Sequence, residues 1–357
     1  MRLPASITPP GAERLRRGVG ARRELLLAGC AILVLVYPWI APSDYWIRVA
    51  CWVGLYAMLA SGLNVVVGLA GLLDLGYVAF YGIGSYAFAL LASGQFDIHW
   101  SFWPIVVVAL AVTALAGILL GIPVLRLRGD YLAIVTLGFG EMTYILLINL
   151  DRPINITNGT NGIVGVDTPR LGAFSFDANW KYYYLILAFL LLGLFVIQRV
   201  NRSRLGRAWI ALREDEVAAA ANGINTTTTK LWAFGLGASF AGVVGSIAAA
   251  LQGSVFPDSF LFAESTLILA MVVLGGMGNI LGAVVGAAIL VVLPELLRPL
   301  QAYRLLIFGV LLMVMMVVRP EGIVVSRRRR RELRPEDDEL ATRQRETLYD
   351  VERGVTP

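Results

Sequence analysis

Four polar residues lie within or beside long apolar stretches of this 357-residue sequence, and they are the first candidates for chemistry on a solute. They are Asn64, Asp74, Thr136 and Glu141. Polar groups are costly in an apolar environment, so each either lines a watery route or is satisfied by neighbouring segments. A zwitterionic solute needs such groups to cross hydrocarbon. We predict that the four residues line a translocation pathway, with structural packing as the alternative.

The sequence lacks the groups that common catalytic sites require. His99 is the single histidine, and Cys30 and Cys51 both lie in apolar runs, where thiols act as small apolar side chains. Zinc, haem and Ser-His-Asp or Cys-His sites are therefore not expected. No Gly-x-x-x-x-Gly-Lys-Ser/Thr loop occurs, so the usual cradle for ATP phosphates is missing. We predict a protein that is not an enzyme and that carries no metal or cofactor of its own.

The segment Arg199–Lys230 is a long polar stretch near the middle of the chain, and it lies between two apolar runs. Within it, residues 209–222 predict a helix, and Gly223 suits the left-handed position that ends a helix. Charges at 213–216 precede four consecutive alanines. A short helix of this kind can dock into a groove on a soluble partner, and the alternative is a solvated helix at the membrane surface.

A second polar segment, 151–181, contains a Gly/Asn/Thr-rich stretch. Thr160, Asn161 and Gly162 are our candidates for docking a delivery protein on the outer face. A plain connector is the alternative.

Composition defines the elements that position these groups. The chain is 57% hydrophobic and 15% charged, against roughly 25% charged for soluble domains. A spanning helix needs about 20 apolar residues. The predicted spans of this all-α integral membrane protein are Leu25–Ala41, Tyr45–Val67, Leu75–Ala92, Trp103–Leu125, Tyr131–Leu150, Tyr182–Ile197, Leu231–Leu251, Thr266–Leu274, Ile280–Leu296 and Leu305–Val318. The eighth is short, and it is either a tilted span or a re-entrant segment.

Charge clusters predict the orientation. Basic residues precede the first run, fill the Arg199–Lys230 loop and follow the last run at Arg327–Arg331. The positive-inside rule places all three on the cytoplasmic side, which requires an even number of spans and favours about ten. The predicted domains are a basic cytoplasmic arm (1–24), a membrane domain (25–322) and a charged cytoplasmic tail (323–357). Because the basic clusters lie at membrane edges, the net charge of +5 indicates the lipid bilayer and not nucleic acid as the partner.

Small residues recur at four-residue spacing in two of the spans. Gly278, Gly282 and Gly286 form one series, and Ala238/Gly242 and Ala241/Gly245 form another. Such faces let helix backbones approach closely in lipid. They predict a tightly packed helical bundle.

Several blocks, in order along the chain, resemble the LivM-type permease family of branched-chain amino acid ABC transporters. The resemblance runs from about Tyr45 to Gly322. The blocks are Gly62–Tyr77, Leu127–Leu137, Thr160–Ile163, Gly206–Ile224, Gly275–Asn279 and Arg319–Gly322.

The resemblance implies a fold like that of type II ABC importers, with an inverted repeat of about five helices per half. It implies a heteromer in a bacterial inner membrane: a second LivH-like permease, two ATPase subunits that bind the ATP, and a periplasmic substrate-binding protein. The segment 199–230 then becomes a coupling loop. Its candidate ATPase-coupling residues are Gly206, Arg207, Ala208, Arg213, Glu214, Asp215, Glu216, Ala219 and Gly223.

The sequence is also compatible with other cargo and with other classes of membrane protein. Close relatives of such importers carry urea, short amides or other small solutes. A secondary transporter driven by protons or sodium usually keeps titratable pairs at mid-membrane, and acids are few here. A membrane enzyme would need a catalytic cluster that the sequence lacks.

Overall fold

The computed structural model describes residues 29, 32–96, 98–124, 127, 129–171, 174–298, 303–318 and 322–324. The predicted N-terminal arm, the Arg327–Arg331 cluster and the predicted tail beyond residue 324 lie outside the described residues.

Most of the described chain is helical. Residues 32–40 form a first helical segment, α1. The other helices are α2 Asp44–Leu63, α3 Tyr77–Leu91, α4 Phe102–Val124, α5 Asp130–Asn149, α6 Asn179–Asn201, α7 Arg204–Glu214, α8 Glu216–Ala221, α9 Thr226–Gln252, α10 Phe262–Gly275, α11 Ile280–Leu296 and α12 Arg304–Val318. The helix α2 continues into a π-helical turn, Asn64–Leu69.

The chain divides into two units, Met1–Arg48 and Val49–Pro357. In the first unit the Tyr37 hydroxyl donates to the Trp46 carbonyl at 3.4 Å. In the second unit, three short antiparallel strand pairs connect loops. They are β1 Ala92–Ser93 with β2 Ile98–His99, β3 Ile163–Val164 with β6 Ser254–Val255, and β4 Arg170–Leu171 with β5 Phe174–Ser175.

Helix α9 forms the centre of the second unit, and small residues set its distance from its neighbours. Gly84 of α3 lies so close to the backbone of Gly242 that a Cβ atom would overlap it. The Tyr77 hydroxyl at the start of α3 donates to the Gly237 carbonyl at 3.0 Å. A Cβ at Gly117 of α4 would lie 2.7 Å from the Phe234 carbonyl oxygen. The small-residue face predicted for the seventh span is therefore confirmed as a close-packing face.

Helices α10 and α11 form an antiparallel pair that uses two members of the predicted Gly278/Gly282/Gly286 series. Cβ atoms at Gly282 and Gly286 would overlap or crowd the backbone of α10 near Gly275. Residues after α12 return to this pair, because the Ile323 and Val324 N–H groups donate to the carbonyls of Leu274 (2.9 Å) and Gly275 (3.1 Å).

Six helical stretches among the described residues are long and apolar enough to cross a membrane. They are Asp44–Leu69, Phe102–Val124, Asp130–Asn149, Asn179–Asn201, Thr226–Gln252 and Pro257–Gly275. Two shorter apolar helices are Tyr77–Leu91 and Ile280–Leu296. The mostly helical membrane class is confirmed, whereas the count of ten spans stays a prediction. The predicted eighth span lengthens to 19 residues because a 3₁₀ turn, Pro257–Phe260, precedes α10.

Candidate coupling and translocation site

The polar segment 199–230 folds into two short helices, and the prediction of one continuous helix over 209–222 is wrong. The break falls at Asp215, whose backbone is extended (φ −155°, ψ 114°). Its carboxylate accepts hydrogen bonds from the N–H groups of Val217 (2.8 Å) and Ala218 (3.0 Å). An aspartate at this position caps a new helix and competes with continuation of the old one. The same side chain therefore ends α7 and begins α8.

Gly223 ends α8 as predicted, with a left-handed φ of +80°. The Gly223 and Ile224 N–H groups donate to the carbonyls of Ala220 (3.0 Å) and Ala219 (3.1 Å). Asn225 then caps α9, because its side chain accepts from the Thr228 N–H at 3.1 Å. Two helix ends are thus satisfied within a few residues, which defines the angle between α8 and α9.

Both short helices are fixed to α9. The Trp209 side chain of α7 is buried, and its indole N–H donates to the Thr229 carbonyl at 2.8 Å. The Lys230 ammonium is buried and lies 2.7 Å from a Glu216 carboxylate oxygen of α8. A buried indole with its polar tip satisfied and a buried charge pair both require one geometry. The two contacts therefore hold α7 and α8 against the first turns of α9.

Several residues of these helices are exposed. We call them the α7–α8 surface, which consists of Arg207, Glu214, Val217, Ala218 and Ala221. Val217 is the most prominent apolar member at 65% exposure. Val217 is therefore the position at which contact with a partner is best tested.

The predicted coupling residues divide between this surface and the interior. Arg207 and Glu214 are exposed, Ala219 is buried, and Ala208 is half-buried. Gly206 is buried where α6 turns into α7, because a Cβ there would overlap the Asn201 backbone.

Arg213 extends inward, away from the α7–α8 surface. Its Nη1 donates to the Gly68 carbonyl in the π-helical turn of α2 at 2.7 Å. Its Cγ lies where Gly71 leaves space, since a Cβ at Gly71 would come within 2.7 Å of it. A cation at the carbonyl end of a helix is favoured by the helix dipole.

Asn64 is buried at the start of the same π-helical turn. Its Oδ1 accepts from the Gly278 N–H at 2.8 Å, and its Nδ2 donates to the Asn279 carbonyl at 3.1 Å. Asn279 in turn caps α11 through the Leu281 N–H (3.1 Å) and donates to the Val324 carbonyl (2.9 Å). Three segments that are far apart in the sequence, around residues 64, 279 and 324, therefore contact one another at one junction.

Asp74 and Thr136 hold the irregular segment 70–76 that precedes α3. Asp74 is buried and accepts from the Gly76 N–H at 3.0 Å, and its Oδ2 has no hydrogen-bond partner among the described residues. The Thr136 hydroxyl of α5 accepts from the Leu75 N–H at 3.0 Å. Gly76 lies against the Thr136 carbonyl with no space for a side chain. These side chains satisfy backbone groups where the helical ladder is interrupted.

Glu141 differs from the other predicted pathway residues because it is only partly buried, about three turns along α5. Sequence reasoning missed a second acid, Glu264 in the first turn of α10, which is also partly buried. Its carboxylate accepts from the Tyr56 hydroxyl of α2 at 3.0 Å. Glu264 lies three residues before the apolar run 267–274 and could have been included from the sequence, but the predicted span began after it, at Thr266.

The predicted outer docking residues form a compact turn. Thr160 and Asn161 are exposed in a 3₁₀ turn, Gly159–Asn161. Gly162 is buried with φ +66°, and a Cβ there would overlap the Val255 carbonyl oxygen. The pairing of β3 with β6 thus fixes this turn to the segment that follows α9.

Together, these features define an α-helical membrane protein in which a polar pair of helices is fixed to the central helix and to a break in a second helix. Residues 45–318 match the family described as the permease component of the branched-chain amino acid transport system. The chain belongs to that family.

Named relatives agree with this assignment. The high-affinity branched-chain amino acid transport system permease proteins LivM of Salmonella typhimurium and Escherichia coli are each 44% identical, over 86% of this chain and 76% of the relative. The LivH permease protein of Escherichia coli is 28% identical over 75% of this chain and 91% of the relative. No solved structure gives a significant match.

Proposed function

We propose that this chain is the LivM-like permease subunit of an ATP-driven importer of branched-chain amino acids in a bacterial inner membrane. Family membership and the names of the relatives support the transport class and the cargo. The observation that carries the coupling role is the attachment of α7 and α8 to α9 through Trp209 and the Lys230–Glu216 pair. An exposed surface on a rigidly attached element can pass mechanical work into the membrane helices.

The partners in this proposal are a second, LivH-like permease, two ATPase subunits and a periplasmic substrate-binding protein. The similarity of this chain to both LivM and LivH proteins supports a pore built from two related permeases. Nucleotide would be bound by the ATPase subunits, and the α7–α8 surface would contact them.

The inverted repeat has support in the order of the elements. A long helix, an irregular segment and a short helix occur twice: α2 to α3 and α9 to α10. The two short helices meet at their first turns, where the Ser265 hydroxyl accepts from the Val78 N–H at 3.0 Å. Interrupted helices in corresponding positions of two halves are typical of transporter repeats.

We assign the substrate route to the side of the subunit that carries Glu141, because a partly buried acid in a span needs water or a polar partner. Asn64, Asp74 and Thr136 would act on the route indirectly, by holding the helix break. Thr160, Asn161 and Gly162 would belong to the outer contact with the binding protein.

The proposal is tested by purification and reconstitution with the adjacent ATPase, permease and binding-protein subunits. We expect the four membrane and ATPase subunits to copurify and to import leucine only with ATP and binding protein. Val217→Arg should abolish ATPase copurification, whereas Val164→Arg should not, because Val164 is equally exposed (64%) but lies on β3. Uptake that survives ATP depletion and fails with an uncoupler would refute the proposal.

Sidedness is tested by cysteine labelling after Cys30 and Cys51 are replaced by alanine. We expect Val217→Cys to react with an impermeant maleimide only in inside-out vesicles, and Thr160→Cys only in right-side-out vesicles. Reaction of both from the same side would contradict the predicted orientation, because α6 is the predicted span between the two positions. The cargo itself is tested by the ligand of the adjacent binding protein: urea or an amide in place of leucine would reassign it.

A further inference from the structure

The junction between α7, the break in α2 and the α10–α11 turn carries an inference that rests on the proposed coupling function and deepens it. The starting point is the direction of Arg213. It lies within the predicted docking segment, but its guanidinium donates into the membrane domain, to the Gly68 carbonyl at 2.7 Å.

The acceptor lies in a tightly packed part of the chain. Residues 64–69 form a buried π-helical turn, and every one of them is packed inside the subunit. Gly68 has no space for a side chain, because a Cβ would overlap Asn64 Oδ1 and lie 2.5 Å from the Gly278 nitrogen. Packed interiors pass displacement from one element to the next with little compression. A π-helical turn is also a common site of functional bending.

Asn64 extends the contact to the far side of the turn. It bonds the Gly278 N–H and the Asn279 carbonyl, which connect α10 to α11. Asn279 then contacts the Val324 carbonyl after α12. Two sets of hydrogen bonds, joined by the packed π-helical turn 64–69, therefore link α7 to the α10–α11 turn and to the segment after α12.

We propose that Arg213 is a positioning residue that transmits movement of α7 to the α2 break, and through Asn64 to the α10–α11 turn. The ATPase stroke then reaches the membrane domain by two routes. One is the covalent route through α6 and α9, and the other is this lateral route to helices remote in sequence. Arg213 acts on the permease side of the contact and does not dock the ATPase.

The test compares Arg213→Gln with Arg199→Gln in the complete reconstituted importer. Arg199 is an exposed arginine at the end of α6, so it controls for loss of one positive charge on the same side. The readouts are subunit copurification, basal ATPase activity, ATPase activity with loaded binding protein, and leucine uptake.

We expect Arg213→Gln to assemble normally and to keep basal ATPase activity, while uptake per ATP hydrolysed falls about tenfold, within the usual range of coupling between sites. Arg199→Gln should match the unmodified protein in all four readouts. Asn64→Leu, if it assembles, should reproduce the uncoupling. The double variant should be within about twofold of the more impaired single variant, because the two residues act in series.

Two results would overturn the inference. If Arg213→Gln loses ATPase copurification, Arg213 belongs to the docking contact. If Arg213→Gln assembles and imports with normal coupling, the Arg213 contact with Gly68 does not transmit movement of α7. Either result leaves the proposed function intact, whereas failure of the unmodified subunits to assemble or to import would refute the function itself.

Discussion

The Lys230 ammonium and the Glu216 carboxylate lie 2.7 Å apart, and the lysine side chain is only 4% exposed. This contact joins the first residue of α8 to the fifth residue of α9. Together with the caps at Gly223 and Asn225, it holds the two helices at one angle, because a buried ammonium strongly prefers to keep its carboxylate.

Neutralising that carboxylate should therefore loosen α8. We expect Glu216→Gln to lower the free energy of unfolding by about 1–3 kcal/mol, less than a fully buried pair would lose because Glu216 is partly exposed. Thermal unfolding of the detergent-solubilised subunit measures the change. Glu214→Gln, two residues earlier and exposed, is the comparison, and an equal loss in both variants would contradict a special role for Glu216.

Removing the cap at Asp215 should disorder α8 and weaken coupling. Asp215→Ala deletes the acceptor of two N–H groups and should cost about 0.5–2 kcal/mol of local stability. Asp215→Ser keeps a capping oxygen and should retain most of the function. Hydrogen exchange of the Val217 and Ala218 amides and uptake in the reconstituted importer are the measurements. If alanine and serine behave alike, capping is not what the side chain supplies.

The close contact between α3 and α9 at Gly84 should tolerate no side chain. Gly84→Val would place a branched side chain against the backbone of Gly242, so we expect loss of the folded, monodisperse subunit on size exclusion. In contrast, Gly138 of α5 faces open space, since a Cβ there would have no atom within 4 Å. Gly138→Ala should leave the isolated subunit unchanged or stabilise it by about 0.5–1 kcal/mol, since alanine favours helix. A stable Gly84→Val subunit would contradict the packing of these two helices.

Substitutions at two loop glycines can distinguish the cost of backbone strain from the cost of steric overlap. Gly162 and Gly165 both have positive φ (+66° and +75°), but only at Gly162 would a Cβ meet another atom, the Val255 carbonyl oxygen. Gly165→Ala should cost about 1–2 kcal/mol from the left-handed backbone alone. Gly162→Ala should cost about 1–3 kcal/mol more, because the β3–β6 pair must separate. Thermal unfolding midpoints compare the two, and equal midpoints would show that the strand pairing is not strained by a side chain.

Sequence alone located the helices well. Each predicted span after the first overlaps one observed helix, and Ile280–Leu296 has the predicted bounds. The reason is physical: in lipid every backbone polar group must be satisfied within the segment, so a long apolar run has few alternatives to a helix. Local chemistry also sufficed for Gly223, whose helix-ending role depends on its neighbours in the chain.

Tertiary structure decided what the polar residues do. The residues beside Arg213 in the sequence led us to predict that it docks the ATPase. In the structure its guanidinium instead donates to the Gly68 carbonyl, 145 residues away. The Glu264 carboxylate accepts a hydrogen bond from Tyr56, which is 208 residues away in the sequence. The Asn64 side chain accepts one from the Gly278 N–H, 214 residues away. Hydrophobic periodicity carries no information on which helix a polar side chain will reach, because that depends on how closely glycine-rich faces bring the helices together.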